Sequence, residues 1–221
     1  GGSRTLDSSI TGGTLTLGDV GINAETANAR TLTIAGAGAT TINGIISNGN
    51  ASTNNGLIIT NSNTTTLAGA NTYSGDTTIS AGITKLGNSN VIPDGAGKGN
   101  LSIAGGATLD LNGKSDALNG LSGAGTIDST AAGAMSLSVG GNNQTSTFSG
   151  SLANTAGTLS LTKTGTGDFT LSGTSTYSGS TTVSGGKLYV DSATAFPATT
   201  AGLTLADGAE FHLRGTSPLA N

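Results

Sequence analysis

The chain repeats itself over most of its length, and a repeat with alternating apolar residues inside it leaves few folds open. Residues Leu67–Gly82 align without a gap to Leu171–Gly186 at an offset of 104, as from Tyr73 to Tyr177. Leu101–Gly113 aligns to Leu203–Gly215 at an offset of 102, and Thr41–Asn48 aligns more faintly to Thr147–Asn154 at 106. The order of the blocks is kept. The 221 residues therefore read as two copies of one long unit, approximately 1–115 and 116–221, within a single solenoid that has no independent domains.

Inside each unit apolar residues alternate with Thr or Ser, as in Leu15-Thr16-Leu17, Leu32-Thr33-Ile34, Leu101-Ser102-Ile103, Leu137-Ser138-Val139 and Leu159-Ser160-Leu161. That period of two marks half-buried strands and sets the chain apart from a Gly/Ser linker. The strands are short and separated by Gly, Asn or Asp. Aromatics make up 3% of the chain and 38 positions are Gly, so the core is thin and filled by Leu, Ile, Val and Ala. A thin core along a long chain requires an elongated stack of coils. At roughly 20–25 residues per coil, the expectation is an all-β parallel β-solenoid of roughly nine or ten coils.

Exchanges between the copies follow strand physics. Ile79 pairs with Val183, Ile103 with Leu205 and Leu109 with Phe211, which places these residues inside; Asp110 pairs with His212 and Asn112 with Arg214, which places them in water. Asn61 and Asn63 match Gly165 and Gly167, and Gly and Asn are the residues that tolerate positive φ, so corners are expected there. Thr72-Tyr73-Ser74-Gly75 returns as Thr176-Tyr177-Ser178-Gly179. Recurrence at the repeat period makes Tyr73, Gly75, Tyr177 and Gly179 structural corners, with each ring packed and each hydroxyl tied to backbone, rather than a platform for sugar stacking.

The block Leu-x-Gly-x-x-Thr-Tyr-Ser-Gly-x-Thr-Thr-[Ile/Val]-Ser-x-Gly, preceded in the second copy by Leu161–Gly173, resembles the passenger-associated repeat of bacterial autotransporters. The later Leu-x-[Ile/Leu]-Ala-x-Gly-Ala block is also similar to sequence in those passengers. The resemblance implies a right-handed parallel β-helix of the pectin-lyase-like kind, displayed at the surface of a Gram-negative cell and joined in its parent protein to a C-terminal β-barrel translocator.

Candidate chemistry is sparse. There is no Cys for a disulfide or thiolate site, and the net charge of −4 with scattered Lys and Arg provides no basic stripe for nucleic acid. No run of about 20 apolar residues spans a bilayer. His212, the single histidine, lies in a strand pattern that sends Phe211 and Leu213 inward and His212 outward. Asp110, Asp116 and Asp128, with Lys114 nearby, form a weak candidate carboxylate cluster of the kind that polysaccharide-active β-helix enzymes use, but ordinary solvation and corner capping explain the set, and an enzyme is the lesser alternative. Gly95-Ala96-Gly97-Lys98-Gly99 lacks the first Gly and the final Ser/Thr of a phosphate loop and reads as a loop with a flexible basic tip. The expectation is a non-enzymatic segment without metal or cofactor, serving adhesion or self-association. Expected partners are a second copy of the chain or a host or matrix surface, and the rival reading is a subunit of an extracellular filament or surface layer.

Overall fold

In the computed structural model, which describes residues 3–22, 28–49, 54–197 and 202–214, every regular element is a β-strand and every strand pairing is parallel. The chain winds as a solenoid with three faces. The first carries ten strands, from Arg4–Ser8 to Glu210–Leu213, and the second carries seven, from Thr14–Leu17 to Ser151–Leu152. The third face holds the pair Val20–Gly21 and Ile46–Ser47 near one end, and five strands from Asp116–Leu118 to Leu203–Leu205 toward the other. Successive strands of the ten-stranded face lie one circuit apart, as Thr31 with Gly56, Leu57 with Thr77 and Thr77 with Leu101. Its ten strands bracket nine such steps, close to the coil count expected from the sequence.

Parallel stacking in register places like residues above like. Ile34, Ile59, Ile79 and Ile103 form one aliphatic column, and none of their surface is exposed. Each circuit thus adds a layer of two or three aliphatics to a continuous apolar cluster that runs from Ile22 to Ala195. Between the two runs of the third face, side chains stand in for strands. Asn71 accepts from Ile46 N (2.7 Å) and donates to the Val91 carbonyl (2.9 Å), while Asp116 accepts from Val91 N (2.9 Å). Amide and carboxylate groups have the donors and acceptors of a peptide, so they continue the ladder where the backbone leaves it.

The two sequence copies sit on different faces. Gly56–Ile59, Thr77–Ile79 and Leu101–Ile103 lie on the ten-stranded face, whereas their counterparts Thr158–Lys163, Thr181–Val183 and Leu203–Leu205 lie on the third. Likewise Thr64–Leu67, Ile83–Leu86 and Thr108–Asp110 lie on the seven-stranded face, and Phe169–Leu171, Lys187–Val190 and Glu210–Leu213 lie on the ten-stranded one. From Gly56–Ile59 to Thr158–Lys163 the chain makes four circuits and then crosses two further faces. The duplication is therefore not a whole number of coils, and equivalent surfaces of the two copies point one face apart.

Several positions depart from simple alternation. Asp110, expected in water, is buried. Leu205 and Leu213, expected inside, are 47% and 49% exposed, because their strands are the last of their sheets and no coil covers them among the described residues. Of the four Asn/Gly corners only Gly165 has positive φ (67°). Asn61 serves its corner through its side chain, donating to the Gly38 carbonyl (2.8 Å) and accepting from Asn63 N (2.7 Å). Gly215 and the chain's first two residues lie outside the described residues.

Threonine also enters the core. Thr40, Thr65 and Thr84 stack on the seven-stranded face, all at most 1% exposed, where the second copy offers Phe169 and Leu188 opposite Thr65 and Thr84. The hydroxyls of Thr65 and Thr84 have no hydrogen-bond partner. An unpaired buried hydroxyl costs about 1–3 kcal/mol, and valine has the same shape without it. Thr84→Val is expected to raise unfolding stability by about 1 kcal/mol, read as a higher urea midpoint; an unchanged or lowered midpoint would show that the hydroxyl is satisfied in solution.

Candidate functional site

The Tyr blocks are buried corners. Tyr73 and Tyr177 sit in irregular segments before the strands Thr77–Ile79 and Thr181–Val183, and neither ring is exposed. Tyr73 bonds through its hydroxyl to Thr77 Oγ1 (2.6 Å) and Tyr177 to Thr181 Oγ1 (2.7 Å), so the partner is a side chain four residues on rather than backbone. Burial pushes the Tyr177 phenol up to about 12, against the bond from Thr181, and pushes Tyr73 in the same direction. Gly75 and Gly179 recur for a steric reason, since a Cβ on either would collide with the preceding coil's backbone at Asn54–Asn55 or at Leu159. Rings with no exposed surface offer nothing for a sugar to stack on.

The three aspartates do not converge on a cleft. Asp110 and Asp128 are register neighbours, but each is spent on backbone. Asp110 accepts from Asn112 N (2.8 Å) and from Thr130 N and Oγ1 (3.1 and 2.7 Å), with Lys85 Nζ at 3.8 Å. Asp128 accepts from Ser129 N (2.7 Å) and from Thr155 N and Oγ1 (2.7 and 2.6 Å). Burial raises the Asp128 carboxyl, and these hydrogen bonds outweigh it and hold the group below the ordinary carboxylate range. Asp116 stands apart on the third face. It is stacked in register with Leu137, and burial lifts its carboxyl to about 7 against hydrogen bonds from Val91, Ile92 and Ala117.

His212 faces outward, bonded to Glu210 (2.7 Å) and stacked on Tyr189 at 4.9 Å between ring centroids. Arg214 lies 3.8 Å over the same Tyr189 ring and pairs with Asp191 (2.8 Å), while Lys187 pairs with Glu210 (3.1 Å). These groups satisfy one another across two adjacent strands. Lys163 was not singled out by its sequence. It stands in a column with Val139 and Val183, where the first copy has Ile59, and it turns its ammonium to the carbonyls of Thr164, Gly165 and Gly185 (2.5, 3.0 and 3.2 Å). Burial lowers its pKa.

A large concavity lies at the corner that leads into the ten-stranded face. Successive circuits place Asn54, Asp76, Asn100, Gly120 and Gln144 just before the strands Gly56–Ile59, Thr77–Ile79, Leu101–Ile103, Leu121–Gly123 and Ser146–Phe148. At this corner lies a cleft of about 620 Å³ lined by Asn54, Asp76, Asn100, Asn142, Asn143 and Gln144. Asn100 organises it. Its Nδ2 donates to Gln144 Oε1 (2.8 Å), and its Oδ1 accepts from Asn142 Nδ2 (2.9 Å) and Gly120 N (2.8 Å). Its own N donates to Asp76 Oδ1 (2.8 Å). Lys98, far from being a loose tip, donates from Nζ to the carbonyls of Thr72 (2.6 Å) and Tyr73 (3.4 Å) and seals the loop against the first Tyr corner. Among the described residues no group of three or more His, Cys, Asp or Glu is placed to hold a metal ion.

The segments around the two Tyr corners are the ones that known proteins share. Residues 57–86 and 161–190 match the model of the passenger-associated-transport-repeat family. The repeat model thus matches the chain in two places. Each match runs through four strands with the buried Tyr between the second and third, so the family pattern coincides with the corner and the coils on either side of it. A parallel β-solenoid with these repeats fits the passenger of a bacterial autotransporter. No curated protein and no solved structure matches the chain.

Proposed function

We propose that the chain is a non-catalytic section of an autotransporter passenger, displayed outside a Gram-negative cell, which acts as a rigid scaffold for adhesion or self-association. The observation that carries this reading is the passenger-associated-transport-repeat, present twice and built into the solenoid's corners. The side-chain chemistry supports it. Asp110, Asp116 and Asp128 pin backbone amides, and His212 is paired with Glu210 on an outward strand face, so none is poised beside a cleft with an acid, base and nucleophile in reach of one another.

Cells displaying the parent passenger with and without residues 1–221 provide the test. The intact form is expected to sediment or attach faster, by about twofold or more for a surface that works through many weak contacts. Equal settling and equal attachment of the two strains would sink the adhesive reading.

A further inference from the structure

We propose that the corner cleft between Asn54 and Gln144 is a binding site for a neutral, hydroxyl-rich chain, an uncharged oligosaccharide, held by side-chain amides and the Asp76 carboxylate. The cleft's volume, about 620 Å³, lies in the range of small-molecule sites, about 300–1,000 Å³. A second hollow of about 240 Å³ shares Asn54 and Asp76 with it, so the two form a trough that suits a linear ligand.

The lining selects the ligand class. An amide side chain offers a donor and an acceptor side by side, which matches a pair of neighbouring hydroxyls. Among the described residues the network leaves these groups in hand: Gln144 uses its Oε1 on Asn100 while its Nε2 has no partner, Asp76 uses Oδ1, and Asn54 makes no side-chain bond. Asn143 spends its Oδ1 on Thr166 N (2.9 Å), which leaves its amino group open. In the main cleft an anionic ligand is disfavoured, because the ammonium of Lys98 is committed to two carbonyls and the Asp76 carboxylate would repel it, while the one cationic side chain of the second hollow, Arg30, shares that hollow with the same Asp76. No aromatic or large aliphatic side chain lines the main cleft, so a lipid or the side chains of a peptide find no apolar pocket. Gly75, Gly97, Gly99 and Gly141 also line it, and at these positions a ligand can approach the backbone closely.

Without a stacking ring the affinity is modest, with a dissociation constant on the order of 1 mM, which many copies on one surface would multiply. The proposal gives the adhesive reading its ligand class and rests on that reading for its biological setting alone, because purified protein tests it without cells. Maltohexaose, cellohexaose and mannohexaose would each be titrated into the whole chain while the side-chain amide resonances of Asn and Gln are followed by NMR. At least one is expected to shift them saturably, and Asn142→Ala combined with Gln144→Ala is expected to weaken that binding by about tenfold or more. Asn54→Ala removes no internal bond and is expected to weaken binding severalfold, so it decides the matter if the double variant misfolds. Failure of all three sugars to give saturable shifts would overturn the proposal. So would binding that survives these substitutions, or tighter binding of a hexamer of galacturonic acid. Sugar binding together with unaltered cell attachment would instead overturn the adhesive reading and leave the site standing.

Discussion

Tyr73→Ala is expected to lower the unfolding free energy by about 3–5 kcal/mol, the usual cost of emptying an aromatic site in a well-packed core. The ring has no exposed surface, and its removal also leaves the buried Thr77 hydroxyl without the 2.6 Å partner it has now. Tyr73→Phe keeps the ring and deletes that bond alone, for which about 1–2 kcal/mol is expected. Urea unfolding of the two variants separates packing from hydrogen bonding. Because each coil touches only its neighbours, the loss should be local: amide exchange should accelerate around Ile46, Asn55 and Thr77, whose backbone bonds frame this corner, while the column near Leu161 stays protected. An Ala variant within about 1 kcal/mol of the parent would show that the corner is dispensable and that the repeat is kept for another reason.

The Tyr corners were legible in the sequence because a residue that recurs at a structural period is reporting packing. The parallel stack was legible for a related reason, as pairs such as Leu32 and Ile34 alternate with Thr and meet similar pairs one circuit on. Alternation sends polar residues outward, and it failed where the next coil covers them. Asp110 caps its own corner through Asn112 N, as an Asp there can, but it is buried because Thr130 arrives from the next coil to complete its bonds, and nothing local to Asp110 announces that. Asn71 and Asp116 were illegible as ladder elements because their partners, Ile46 and Val91, lie 20 or more residues away. The corner cleft was hidden for the same reason, since it is assembled from positions on separate circuits.

The rotation between copies bears on how such a rod works. Had the duplication spanned whole coils, the two copies would have presented the same face twice in line, and a repeated motif could serve as a repeated binding surface. Instead, four circuits and two faces separate equivalent strands, so outward residues at matched positions look in different directions. What the two copies hold in common is therefore what each buries, namely Tyr73 and Tyr177 with their Thr partners. The outward positions are free to diverge, as Lys85 of the first copy does against Tyr189 of the second.

Asp116 gives the chain an unusual dependence on pH. Burial lifts its carboxyl to about 7 from an ordinary value of 3.8, because desolvation outweighs the hydrogen bonds from Val91, Ile92 and Ala117. The folded state thus holds a proton that the unfolded state has released throughout the interval from about pH 4 to about pH 7. The stability this contributes is complete below the unfolded value and is lost as pH rises through the folded one, so the protein should weaken on going from pH 4 to pH 7.5, by at most roughly 4 kcal/mol. Asp128 has the opposite sign but a different window, since its lowered carboxyl forfeits stability as pH falls below the ordinary carboxylate range. Asp116→Asn keeps an oxygen for Val91 and Ile92 and cannot ionise. Thermal unfolding of parent and variant across pH 4–7.5 isolates the group, because every other titration cancels in their difference. The parent's Tm is expected to fall relative to that of the variant as pH rises, steadily between about pH 4 and 7 and levelling off above, and two curves that stay parallel would show that Asp116 is already ionised at pH 4 in the fold.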